Sequence, residues 1–205
     1  MKDLIINSAI SNIENNCNYT KEKLAEIKYG LAGLYSTVTK TIVIFSISYF
    51  LGTLKSLLTL MVLYSILRLT GFGVHAKKSW HCWISSLITF LLLPYLCENI
   101  IIDYRAKVAL GLMSVTLLGF YAPADTEKRP LINKKRRITY KVISVLLGLW
   151  YIVMFFLIKD NTFSNCILFA LMLETFVILP ITYKMFGVKY KNYVNYKPKQ
   201  STKKE

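Results

Sequence analysis

The chain has 205 residues, of which 54% are hydrophobic and 14% aromatic, against roughly 45–50% apolar usage in soluble domains. Its formal net charge is +15, from 26 Lys and Arg against 11 Asp and Glu. An ordinary soluble domain is excluded, and so is a nucleic-acid partner, because the basic residues alternate with apolar runs instead of sharing one face.

No short apolar core with a small-residue cleavage site opens the chain, so no leader peptide is expected to be removed. Leu24, Ile27, Leu31 and Leu34 recur at spacings of three and four, with Lys21, Lys23 and Lys28 around them. Residues 1–37 are therefore expected to form an amphipathic section that lies on an anionic membrane surface or packs against the rest of the protein. Apolar stretches follow at Thr41 to Leu54, Ser56 to Leu69, Trp83 to Cys97, Val108 to Ala122, Val142 to Ile158 and Cys166 to Thr182. A membrane-crossing helix needs about 20 residues, so the expected fold class is all-α, a polytopic membrane protein with about six transmembrane helices in a single integral membrane domain over 1–205. The first two stretches flank Lys55 and read as two short tilted spans or as one long helix carrying a lysine. Residues 183–205 carry seven lysines and no apolar period, and are expected to be a solvated tail near lipid headgroups.

With six spans, the N-terminal section, residues 68–81, residues 123–141 and the tail share a side and hold 22 of the 26 basic residues. A five-span count moves only the N-terminus. The positive-inside rule places the majority side in the cytoplasm of a multi-pass protein.

Chemistry concentrates in "GFGVHAKKSWHC", residues 71 to 82, which holds both histidines, His75 and His81, beside Cys82. Cysteine attacks as the thiolate and needs a base within reach. Along a continuous helix, His75 and Cys82 would share a face but lie about 10.5 Å apart, so the backbone between them must bend or leave the helix. Gly71 and Gly73 permit such a turn. His81 has the opposite problem, because adjacent helical side chains diverge. A surface histidine beside an inert buried thiol is the plainer alternative. A zinc site lacks a fourth ligand at recognisable spacing and no H-E-x-x-H helix exists, so no metal is expected. The cysteines, Cys17, Cys82, Cys97 and Cys166, show no C-x-x-C spacing and suggest no disulfide framework. Glu174 sits in the middle of the last apolar stretch, where an ionised carboxylate is costly unless paired; Arg68 or a neighbouring Ser or Tyr could supply the partner.

Arg68, Gly71, Gly73, His75, Ala76, Cys82 and Ser86 follow an R…G-x-G-x-H-A-(x5)-C-(x3)-S pattern, which resembles that of the AgrB family, the accessory gene regulator B membrane peptidases. "YAPADTEKRPL", residues 121–131, is similar to that family's A-P-A loop, and "LETFVILP", residues 173–180, to the acidic residue and proline of its last span. Phe72, Gly73 and Val74 replace the Gly-Gly or His-Gly pair often found before the histidine, which makes Gly71 a looser match than Gly73. The resemblance implies a cysteine endopeptidase of the bacterial cell membrane, with its catalytic side cytoplasmic and no cofactor. It would trim an AgrD-like propeptide and close the remainder into a thiolactone that serves as a quorum-sensing signal. Cys82 would be the nucleophile and His75 its base, with Arg68, Gly73, Ser86 and Glu174 in support. Lys128 and Arg129 would hold the acidic tail of the substrate or else anchor the topology. Membrane lipids and a second copy of the chain, as a homodimer, are the other candidate partners. The rival class is a non-enzymatic membrane protein such as a small peptide exporter, in which Cys82 is dispensable.

Overall fold

The computed structural model describes residues 2–17, 19–74, 79–126 and 130–194. Its long helices are α1 (Lys2–Asn16), α2 (Lys21–Phe50), α3 (Leu54–Gly71), α4 (Ser79–Asn99), α5 (Tyr104–Tyr121), α6 (Lys134–Leu157) and α7 (Asn161–Ile178), followed by the short α8 (Pro180–Met185) and a 3-10 turn at Asn192–Val194. Five of them, α2, α3, α4, α6 and α7, are long and apolar enough to cross a membrane. The fold is thus all-α and polytopic, as expected. We count α5 as a sixth span: it is less apolar because Arg105 and Lys107 fall in its first turn, but it packs along α6 and α7.

The chain divides into two compact units, Met1–Tyr49 and Phe50–Glu205. In the first, the Thr20 hydroxyl accepts the Lys23 N–H at 3.4 Å and caps the start of α2. Ile5, Ile6 and Ala9 of α1 line an apolar groove with Leu31, Leu34 and Val38 of α2. The stripe read as an amphipathic helix of its own is therefore the first half of the helix that becomes the first span. Nothing between the two halves stops it: Thr37 and Thr39 return their hydroxyls to the Gly33 and Tyr35 carbonyls at 3.0 and 2.8 Å, which satisfies them without breaking the ladder.

In the second unit, residues 51–53 interrupt the helix, with Gly52 at φ 73°. Of the two readings around Lys55, two helices is correct, and Lys55 lies exposed in the first turn of α3. The central helix is α7, which packs against α3, α4, α5 and α6. Its Leu168 and Leu171 meet Leu60 and Leu67 of α3, Leu118 of α5 and Tyr151 of α6 in one apolar core. Outward-facing Val62, Ile88, Leu112 and Leu146 are exposed, an apolar surface that hydrocarbon would cover.

Polar side chains fasten the two ends of this bundle. At one end, Asn165 donates to the Cys97 and Ile100 carbonyls at 3.0 and 2.7 Å, and the Lys107 ammonium to Asn161 at 2.8 Å. At the other, α3, α5 and α7 finish, α4 and α6 begin, and Arg68, Lys134, Lys135, Arg136, Arg137 and Lys184 are found. Pro180 does not kink a span: α7 stops at Ile178, Leu179 is extended, and the proline opens α8. The tail also begins later than expected. Tyr183 is fully buried, and Phe186, Val188 and Tyr190 pack against the core, because aromatic and branched side chains there outweigh the lysines between them.

The arrangement predicts opposite exposure of the bundle's two ends. In a cysteine-free background, a single cysteine at Ile101, which is 90% exposed, should react with a membrane-impermeant maleimide on intact cells. One at Ile132 should react only after permeabilisation. Equal labelling of both positions on intact cells would contradict the six-span topology.

Candidate functional site

Helix α3 ends at Gly71, and the next two residues take left-handed backbone, Phe72 at φ 61° and Gly73 at φ 103°. Chain leaving a helix this way exposes backbone groups that need partners. The Gly71 carbonyl accepts the Ala124 N–H at 2.9 Å, and the Ala124 carbonyl accepts the Gly73 N–H at 2.8 Å. Val74 N–H donates to the Val177 carbonyl at 3.3 Å. The Arg68 guanidinium turns back to donate to the Val74 carbonyl at 2.8 Å. Four residues are thus fixed by α3, by the loop after α5 and by the end of α7.

Arg68 also approaches Glu174, N to O at 3.8 Å, with the carboxylate fully buried and the arginine side chain 19% exposed. Of the partners considered for Glu174, this is the one realised. The glycines make the arrangement sterically feasible. A methyl group on Gly71 would run into the Glu174 carboxylate, and one on Gly73 into the Arg68 guanidinium and Val177. Gly71, the looser match to the resemblance, is therefore sterically constrained as well, while Gly73 carries a left-handed backbone in addition.

His75 itself, with Ala76, Lys77 and Lys78, lies outside the described residues, as do Lys128 and Arg129. What is described is that α3 has ended before His75 and α4 starts at Ser79, so His75 and Cys82 do not share one continuous helix. Cys82 occupies the first turn of α4, half-buried and outside any disulfide. The first turn of a helix presents N–H groups without helical partners, which suit a developing negative charge. Ser86 follows one turn later on the same face, and the Ser85 hydroxyl bonds the Cys82 carbonyl at 3.3 Å. His81 is engaged in packing: its ring centre lies 3.9 Å from that of Trp80 and 6.3 Å from that of Phe186. Among the described residues, no three His, Cys, Asp or Glu side chains come together to hold a metal ion.

Three contributors escaped the sequence. Ala124 supplies both hydrogen bonds to the Gly71–Gly73 turn. Tyr183, within the segment read as a solvated tail, donates to the Ala124 and Asp125 carbonyls at 3.0 and 2.8 Å. The Asp125 carboxylate accepts the Asn192 and Tyr193 N–H groups at 2.9 and 2.8 Å. The "YAPAD" stretch was the one available signal, since a buried Asp in a loop implies a local partner. Nothing in the sequence distinguished Tyr183 from the exposed Lys184 and Met185 that follow it.

The sequence profile of the AgrB family, accessory gene regulator B, matches residues 6–178. An AgrB-like protein of Clostridium acetobutylicum is 33% identical over 174 residues, 85% of this chain and 83% of that protein. An AgrB-like protein of Listeria welshimeri is 32% identical over 178 residues, 86% of each chain. Accessory gene regulator protein B of Staphylococcus aureus is 28% identical over 171 residues, 82% of this chain and 89% of its own. No solved structure matches.

The steric account yields a stability cycle. Gly71→Ala should destabilise the protein by about 1–3 kcal/mol, as overpacking does. In a Glu174→Ala background the same substitution should cost markedly less, because its obstacle is gone. Gly73→Ala should stay costly in either background, since its backbone is left-handed. Equal penalties for Gly71→Ala in the two backgrounds, by thermal unfolding in detergent, would contradict the contact.

Proposed function

The chain belongs to the AgrB family of the agr quorum-sensing system, and from that premise we propose that it is a membrane-embedded cysteine endopeptidase acting on an AgrD-like propeptide, with Cys82 as nucleophile and His75 as base. The observation that carries this reading is the anchoring of Gly71–Val74, the turn that leads directly into His75, by Arg68, Ala124 and Val177. A base serves a nucleophile only if its backbone is held, and four hydrogen bonds hold the residues just before it. The Arg68–Glu174 pair supports the same segment from behind, and Gly73 makes room for it. Packing of His81 between Trp80 and Phe186 supports leaving it out of the chemistry.

The chemistry follows from sulfur. His75 takes the Cys82 proton, and the thiolate attacks a propeptide carbonyl. The C–N bond breaks, and the proton passes from His75 to the departing amine. The N-terminal part of the propeptide remains on the Cys82 sulfur as a thioester. A cysteine of the propeptide then attacks that carbonyl, the Cys82 thiolate leaves, and a thiolactone ring closes. One thioester replaces another at little net cost, provided water is kept from competing. Lys128 and Arg129 would hold the acidic tail on the cytoplasmic side by charge pairing.

Cys82→Ala and His75→Ala should each abolish propeptide cleavage while membrane insertion persists, and His81→Ala should keep a substantial part of the activity. Co-expression with the propeptide, followed by gel and mass spectrometry, measures all three. A Cys82→Ala protein that still cuts would favour the non-enzymatic exporter, and a dead His81→Ala beside a live His75→Ala would exchange the histidines.

Neutralising Lys128 and Arg129 should slow processing most at low ionic strength, with the difference from the unmodified protein shrinking as salt rises, since screening sets in over about 10 Å at 0.1 M. A deficit that is the same at every salt concentration would remove charge pairing as its cause.

A further inference from the structure

A polar cavity of about 290 Å³ opens between the end of α5, the first turns of α6 and the segment after α8. Lys134, Arg137, Lys141 and Lys191 contribute cationic side chains to its wall. The one carboxylate there, Asp125, already accepts two backbone N–H groups. Arg137 is fixed in place: it donates to the Leu131 and Ile132 carbonyls at 2.9 and 3.2 Å, and its guanidinium lies 3.9 Å from the centre of the Tyr193 ring. Burial pushes the Tyr190 phenol up to about 12, so it stays a neutral hydrogen-bond donor at the rim.

Helix stability does not account for these cations. Lys134, Lys135, Arg136 and Arg137 crowd the first turn of α6, the end where the macrodipole disfavours positive charge. The first-turn N–H groups are already capped by Asn133, so an anion beside the four side chains would offset that cost through their charge. Nor is the cavity wholly polar. Phe120 and Ile138, on spans α5 and α6, also line it and are 73% and 54% exposed, a large apolar surface at the mouth of a cationic pocket. A ligand that satisfies both walls carries an anionic head and an apolar chain, and it must reach the pocket from the membrane.

We propose that this pocket binds one anionic phospholipid of the cytoplasmic leaflet, its phosphate among Lys134, Arg137, Lys141 and Lys191 and an acyl chain along Phe120 and Ile138. Basic pockets beside membrane helices on the cytoplasmic side bind acidic headgroups in this way. The site has its own wall and does not contain Cys82. It touches the loop 122–126, whose Ala124 holds the Gly71–Gly73 turn, so lipid occupancy stiffens the support of the proposed centre.

Native mass spectrometry of the full chain in detergent, titrated with phosphatidylglycerol or phosphatidylcholine, tests this. The protein should retain one phosphatidylglycerol under conditions that strip phosphatidylcholine. Lys134→Gln combined with Lys141→Gln should weaken that retention about thirtyfold, as loss of two headgroup-facing charges implies. The Cys82→Ala protein should bind lipid as the unmodified protein does, which separates this result from the fate of the peptidase reading. Equal retention of the two lipids, or unchanged binding by the double variant, would overturn the proposal. So would displacement of the lipid by millimolar inorganic phosphate, which would assign a soluble-anion site, or by a short acidic peptide at lower concentration than lipid, which would assign a peptide site. Should the double variant fail to insert, Phe120→Ser with Ile138→Ser removes the acyl wall alone and should lower retention without changing the preference for phosphatidylglycerol.

Discussion

A fully buried carboxylate next to an arginine is the constraint around which one end of this bundle is organised. Glu174 lies on the central helix α7, and an unpaired charge there would be costly. Arg68 approaches it at 3.8 Å across the α3–α7 interface, and the same guanidinium donates to the Val74 carbonyl. One side chain therefore links the most buried helix to the turn that leaves α3. Glycine at 71 and 73 is a consequence, because the pair and its turn occupy the space where side chains would go.

From that pair outward, each element at this end has a partner. The turn binds Ala124, Ala124 binds Tyr183, and Asp125 ties the backbone of residues 192 and 193 to the same loop. A rigid frame thus stands behind a stretch that leads into His75 and the first turn of α4, where Cys82 resides. The division of labour suits a peptidase that must hold a base and a thiol in register while a flexible peptide enters from the membrane surface. The opposite end of the bundle is fastened by different means, Asn165 and Lys107 bridging helix ends, and carries few of the basic residues.

Much of this was legible in the sequence, for identifiable reasons. Runs of apolar residues mark spans because backbone in lipid must bond within its own helix. Glu174 announced a partner because a lone carboxylate is expensive there, and Arg68 was among the available cations. Gly71 and Gly73 marked a place where the chain could leave a helix, and α3 ends at Gly71. Other features were not legible. The break at residues 51–53 rests on one left-handed glycine, while Gly30 and Gly33 interrupt nothing. Tyr183 looked like tail because lysines surround it, and only the tertiary fold shows that its ring closes the core. Asp125 had no visible partner because its acceptors are satisfied by backbone about 67 residues away, which no side-chain pattern encodes.

The central claim is that the Cys82 sulfur carries the substrate. A propeptide whose own cysteine is replaced by alanine cannot close the ring, so the thioester should accumulate on the enzyme. Intact-mass and peptide-level mass spectrometry after brief mixing should find the N-terminal part of that propeptide attached at Cys82 and released by hydroxylamine. Cleavage that proceeds with no adduct, or with the adduct on a different residue, would contradict the account.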